Sequence, residues 1–249
     1  MMTIAQIKQA ANACQEAYLD EEIKTELEVG YSAFFDMKGS SIAYEDVEVA
    51  NIKTVTHRNG FGETGLTWRK AVEKLHGANW DSRVLGYFQR SLRDVNFPAP
   101  GSLEPLKLAR YGSIYHVECG VHRTIAGKAW LAHTYGIKAR FSDCYVRQIV
   151  LNEKIRAFLE KHKQAGLKLF KTNLYSEHNV WIEDEVPHHL VKVDGRLFGW
   201  YLLSGDICNV TSFWRISPVN WWRILRGTLL SISKPSFPID AEMIKALLK

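Results

Sequence analysis

A thiol, an imidazole, a guanidinium and a hydroxyl fall within six residues of this chain: Cys119, His122, Arg123 and Thr124, set around Gly120 and Val121. They lie in the run His116-Val-Glu-Cys-Gly-Val-His-Arg-Thr-Ile-Ala-Gly-Lys-Ala129. Ser113 to Val117 is rich in β-formers, and Gly120 supplies a sharp exit that a Cβ would resist. The spacing predicts a helix from about Val121 to Ala132 that stops before Gly136. The first amides of such a helix have no partner within it and lie at the positive end of its dipole, which makes a ready anion site. Arginine adds a planar fork suited to phosphate, and histidine can donate a hydrogen bond or move a proton near neutral pH. Gly120, Val121, His122, Arg123 and Thr124 are therefore the candidate phosphate-binding residues, with His122 and Arg123 as candidate catalytic groups. Cys119 joins them if the helix terminus and Arg123 make it reactive. The same spacing also fits an ordinary strand-to-helix turn whose His and Arg face water.

The flanking elements give this run a context. Glu104 to Arg110 and Ser113 to Val117 read as two short strands joined by a tight Tyr111-Gly112 turn, and Ile137 to Phe141 opens a further strand that runs to Val150. This order, with Gly120-Val121-His122-Arg123 followed by Ala126-Gly127, resembles the ParB/sulfiredoxin superfamily. It is most similar to the Asp-Gly-x-His-Arg variant of ParB-like nuclease domains, with Cys119 at the place of the Asp. A helix from Asp81 to Val95, then Pro98 and Pro100, fits the lead-in of such domains. The resemblance covers about Asp81 to Asp143.

The resemblance implies an α+β fold: a ParB/sulfiredoxin-like core, with a mixed sheet and a helix after the Gly-x-His-Arg turn, plus N- and C-terminal additions. It implies a nucleotide or nucleic-acid phosphate site at the start of that helix. Members of the superfamily hydrolyse CTP, cut DNA, phosphorylate serine or use ATP to repair oxidised cysteine. The repair enzyme has its cysteine immediately before the His-Arg pair, where this chain has Val121. The expected function is a ParB-like enzyme of phosphate chemistry, a DNA nuclease or nucleotide hydrolase, with Mg²⁺ and a nucleoside triphosphate as implied cofactors. The alternatives are a non-catalytic nucleotide- or DNA-binding module, which Cys119 in place of Asp favours, and a partner-binding protein with a remnant site.

The rest of the sequence bounds these readings. With 249 residues, 46% apolar residues and eight tryptophans, the chain can bury a sizeable core. No apolar run is long enough to span a membrane, and the first residues lack the apolar core of a secretion signal. The four cysteines (Cys14, Cys119, Cys144 and Cys208) form no Cys-x-x-Cys pair, which suits a reducing cytoplasm. His178, His188 and His189 have no cysteine or carboxylate pattern to complete a metal site, so none is expected. Net charge is +5, but unevenly placed: residues 1–105 carry 11 Lys/Arg against 15 Asp/Glu, and residues 106–249 carry 21 against 12. The basic part favours an anionic partner, nucleotide or DNA.

Three segments are expected: 1–80, a helical and β extension packed on the core; 81–150, the core; and 151–249, a β-hairpin and Trp/Arg-rich helical extension. Thr3 with Gln6 predicts a capping box for a helix reaching about Glu28, with Ile4, Ile7, Ala11, Cys14 and Tyr18 as its apolar stripe. Strands are expected at Ile42 to Val49 and Ile52 to Thr56, a helix capped by Thr67, and a final helix from Asp240 to Leu248. Asp143 and Arg147 are site candidates by proximity. Asp194-Gly195 marks a hairpin turn. Ser217-Pro218 predicts another helix. Trp214, Arg215, Trp221, Trp222, Arg223 and Arg226 there form the densest aromatic and arginine patch. Arg215, Trp222, Arg223 and Arg226 are candidate contacts to single-stranded nucleic acid. Core packing and a protein interface are the other readings of that patch.

Overall fold

The computed structural model describes residues 2–29, 34–58, 61, 65–77, 79–93, 95–100, 102, 104–151, 153–164, 167–174, 189–193, 200–203, 207–209, 230–232 and 237–249. The side chains of 2, 26, 27, 36–38 and 168–238 lie outside that description. The chain is α+β and divides into two units: Met1–Leu27 with Ser40–Ile149, and Glu28–Gly39 with Val150–Lys249.

The first unit is built on a six-stranded mixed sheet. Its strands are β1 (Lys24–Thr25), β2 (Phe35–Glu48, shared with the second unit), β3 (Ile52–Val55), β4 (Lys107–Tyr111), β5 (Ile114–Cys119) and β6 (Arg140–Leu151), in the order β1-β3-β5-β4-β6-β2. β4 and β5 form the expected antiparallel hairpin, with Gly112 at φ 63° in its turn. β3 runs parallel to β5, and β6 parallel to β4. Strands from residues 24–55 thus share one sheet with those from 107–151, so the N-terminal segment supplies part of the sheet.

The helices are α1 (Met2–Ala13), α2 (Glu26–Val29), α3 (Trp68–Glu73), α4 (Arg83–Phe88) and α5 (Val121–Tyr135). α5 lies at the centre, and α1, α3 and α4 pack against it. Its Ile125, Ala126, Ala129 and Ala132 share a core with Leu108, Val117 and Val146 of the sheet. Small residues let the helix approach closely. A Cβ on Gly127 would lie 2.5 Å from Phe141 and 2.8 Å from Phe88. Gly127→Ala is therefore expected to destabilise the fold by about 1–2 kcal/mol, overpacking outweighing the better helix propensity of alanine; chemical denaturation measures it.

Two helices are shorter than the sequence predicts. The helix expected to reach Glu28 ends at Ala13, because the Arg69 guanidinium donates to the carbonyls of Ala11 and Cys14 and closes that end. Arg69 also grips Asp20 at 2.7 and 2.9 Å, and this bonding holds the Asp20 carboxyl below the usual carboxylate range. The stripe from Ile4 to Tyr18 is nonetheless buried, with Tyr18 in a following 3-10 turn. The helix expected over Asp81–Val95 ends at Phe88, and the Leu92 amide donates to the Ser142 carbonyl at 2.9 Å. Thr67 caps α3 as expected, accepting from the Lys70 amide.

Among the described residues, one basic side chain lies wholly inside this core. Lys128 of α5 donates to the Ile52 carbonyl at 2.8 Å, with its ammonium 4.2 Å from the Trp68 ring centroid and 5.4 Å from that of Tyr18. Burial, followed by repulsion from Lys53, pushes its pKa well below the ordinary lysine value.

The second unit contains α6 (Glu153–His162) and an antiparallel sheet of β7 (Leu167–Leu174), β8 (His189–Val193), β9 (Trp200–Leu203), β10 (Ile207–Asn209), β11 (Leu230–Ile232) and β12 (Phe237–Ile239). The order is β10-β9-β8-β7-β11, and β12 also pairs with β7. β8 pairs with β9 as the predicted hairpin requires, although Asp194-Gly195 lies outside the described residues. The last helix, α7 (Ala241–Leu248), is capped by Asp240, whose side chain accepts from the Met243 amide at 2.7 Å.

Candidate functional site

The turn from β5 into α5 is made by Gly120 at φ 94°, a left-handed conformation that a side chain resists. The first backbone bond across this turn runs from the Thr124 amide to the Gly120 carbonyl, at 2.8 Å. The amides of Val121, His122 and Arg123 precede it, so they are the leading donors of α5. Thr124 is fully buried, and its hydroxyl donates back to the Gly120 carbonyl at 3.1 Å. It tightens the turn and does not face outward.

The two basic residues of the turn are placed very differently. His122 is exposed, with its ring edge-on to Phe61 at 4.8 Å. Arg123 is only 7% exposed. Its guanidinium donates to the Glu104 carbonyl at 2.8 Å and to the Pro105 carbonyl at 3.5 Å, and lies 3.7 Å from the Cys119 sulfur. Phe97 stands 5.4 Å beneath it. A Cβ on Gly120 would meet Arg123 Nε and Nη2 at 3.0 Å and Leu106 at 2.9 Å. The arginine fork is thus folded back under the turn, where it ties the strand-to-helix corner to the 104–105 segment. Its positive charge remains beside the leading amides.

The carboxylates flanking the turn are each held by a base. Glu118, two residues before Gly120, is ion-paired with Arg147 of β6. Glu104 is ion-paired with Lys107, which keeps its carboxyl below the ordinary glutamate range. Arg147, a proximity candidate in the sequence, therefore reaches the turn through Glu118. Asp143, the other, sits at φ 51° and donates its amide to Asp46 at 3.1 Å. Among the described residues no three His, Cys, Asp or Glu side chains come together as a metal site. His178 and His188, and the patch with Arg215, Trp222, Arg223 and Arg226, lie outside the described residues.

His116 is a buried histidine whose packing the sequence did not disclose. Its Nδ1 lies 3.0 Å from Thr54 Oγ1, and its Nε2 lies 3.3 Å from Thr56 Oγ1. On the opposite face of the sheet, Glu45 accepts from Arg110 at 3.0 Å, Tyr115 at 3.0 Å and Gln148 at 3.1 Å. Burial and the Glu45 charge push the Tyr115 hydroxyl up to about 12. Strand alternation in the sequence hints at which side chains share a face, but cross-strand partners depend on a register that only the fold fixes.

No helix among the described residues is long and apolar enough to cross a membrane. Comparison with protein-family models, with curated proteins and with solved structures gave no match.

Proposed function

We propose that this chain binds a phosphate group of a nucleotide or nucleic acid at the start of α5, in the manner of the ParB/sulfiredoxin superfamily. The observation that carries the reading is the left-handed Gly120 turn, which presents three leading amides beside an exposed His122. A 15-residue helix aims its dipole at that point. Arg123 adds charge from beneath and fixes the corner; His122 is the side chain placed to meet the ligand. In a hydrolytic reaction His122 would give a proton to the leaving oxygen, and the amides would hold the charge that develops on phosphate.

A divalent ion finds no protein-made cage among the described residues, and the two flanking glutamates are committed to Arg147 and Lys107. Mg²⁺ would arrive bound to nucleotide phosphates, as is usual for that ion. The same pairing favours the second reading, a module that binds without turnover.

The test is binding and turnover of ATP, CTP and GTP with Mg²⁺, with plasmid DNA as a parallel substrate. His122→Ala is expected to weaken binding roughly ten- to hundredfold, the loss of one charge-assisted hydrogen bond. Turnover lost in His122→Ala would make the protein an enzyme; binding without turnover would make it a sensor or adaptor. No binding by the wild type would sink the reading.

A further inference from the structure

The start of α5 is one end of a longer feature. Cys119, immediately before the Gly120 turn, pairs with Lys107 of β4, and Lys107 pairs in turn with Tyr145 of β6. β6 is bordered by β2, whose Tyr44 meets Tyr145 edge-on, with centroids 5.9 Å apart and rings at 88°. One cation lies over one face of each ring: Arg93 4.7 Å from the Tyr44 centroid, and Lys107 5.9 Å from that of Tyr145. Tyr44 is 39% exposed, and Ile42, two residues away on the same strand face, is 60% exposed. Three strand spacings of ~4.8 Å carry the row about 14 Å from the turn to the sheet edge.

An alternation of aromatic rings and cations is what an unpaired nucleic-acid strand requires: rings to stack bases and cations to track the backbone. Edge-on packing of the two tyrosines fixes their rings in advance, which lowers the ordering cost of binding. An aliphatic side chain beside them suits a sugar. Around the row Arg90, Arg93, Lys107, Arg140 and Arg147 stand against Glu104, Asp46, Glu118 and Asp143; Lys107, Arg140 and Arg147 pair with the first three of these, which leaves the surroundings of the row net basic by one charge. We propose that single-stranded nucleic acid lies across this sheet face, from the Gly120 turn over Lys107 and Tyr145 to Tyr44 and Arg93. This rests on the phosphate reading of the α5 terminus and extends it from a single phosphate to a strand.

Fluorescence anisotropy with a fluorescein-labelled oligo-dT of about 12 nucleotides tests it, within the usual span of a single-strand site. Its duplex with oligo-dA and free ATP are measured in parallel. Tyr44→Leu keeps an apolar side chain at a half-exposed position, and Arg93→Gln keeps its length, so both are expected to fold. Each should weaken oligo-dT binding about tenfold, the loss of one stacked base or one charge. ATP affinity should not change. Oligo-dT affinity unchanged in both variants but lost in His122→Ala would overturn the row and leave the phosphate site standing. Oligo-dT binding lost in the row variants, with neither ATP binding nor any effect of His122→Ala, would keep the row and remove the phosphate site. Equal affinity for the duplex, or no oligo-dT binding by the wild type, would overturn the proposal.

Discussion

Lys128→Met is expected to stabilise the protein at neutral pH and to remove much of the rise of its stability with pH below the ordinary lysine range. Lys128 is fully buried, with one hydrogen bond and two aromatic rings for company. Its folded-state pKa is well below the unfolded value, so between those two values the unfolded chain binds a proton that the folded chain does not. Stability therefore rises with pH through that window and falls as acid is added. Methionine fills similar space without a charge to desolvate, and replacing buried charged groups by well-packed apolar ones of similar volume ranges from neutral to a gain of about 1–4 kcal/mol. Loss of the bond to the Ile52 carbonyl returns about 1 kcal/mol of that. For a chain of this size each kcal/mol of net gain is a rise of roughly 2–4 °C in Tm. The measurement is Tm against pH for both proteins. Parallel curves would show that Lys128 is not the titrating group. The comparison stays below about pH 9, because burial raises the pKa of the Cys144 thiol and of the Tyr18 and Tyr115 hydroxyls, and these groups act in the opposite direction once their unfolded forms ionise.

Gly120→Val is expected to cost about 2–4 kcal/mol and, if the proposed phosphate site is right, to abolish its binding of phosphate. The left-handed backbone costs a residue with a Cβ about 1–2 kcal/mol, and the clash with Leu106 and Arg123 adds about as much again. A double-mutant cycle separates the two. In an Arg123→Ala background the clash with the guanidinium is gone but the backbone strain remains, so Gly120→Val should cost about 1 kcal/mol less there. Additive costs would mean that Arg123 does not pack on Gly120. Urea unfolding of the four proteins gives the answer.

The sequence disclosed the local pieces of this site and missed its partners. The Gly120 turn, the β4–β5 hairpin, the cap at Thr67 and the extent of α5 follow from glycine, capping and periodicity, which are properties of neighbouring residues. Arg123 sits where the spacing puts it, yet its guanidinium is spent on carbonyls of residues 104 and 105, nearly twenty positions away. Nothing local signals that. The premature end of α1 has the same origin, since the residue that closes it, Arg69, comes from α3. The row from Lys107 to Tyr44 was not visible either. It depends on β2 lying beside β6, a pairing across about a hundred residues of sequence.

That pairing also dictates how the protein must be made. β3 leaves the ribosome about 60 residues before β5, its partner, and β2 about 100 before β6. At roughly 5–20 residues per second, the β2 edge is held open for about 5–20 s of synthesis. Until β6 emerges, Ile42 and Tyr44 belong to a nascent strand with no neighbour on that side, and such edges recruit other chains. Slower translation over residues 60–150 is therefore expected to lower the yield of folded protein, and a holdase that shields residues 35–48 is expected to raise it without touching the finished structure.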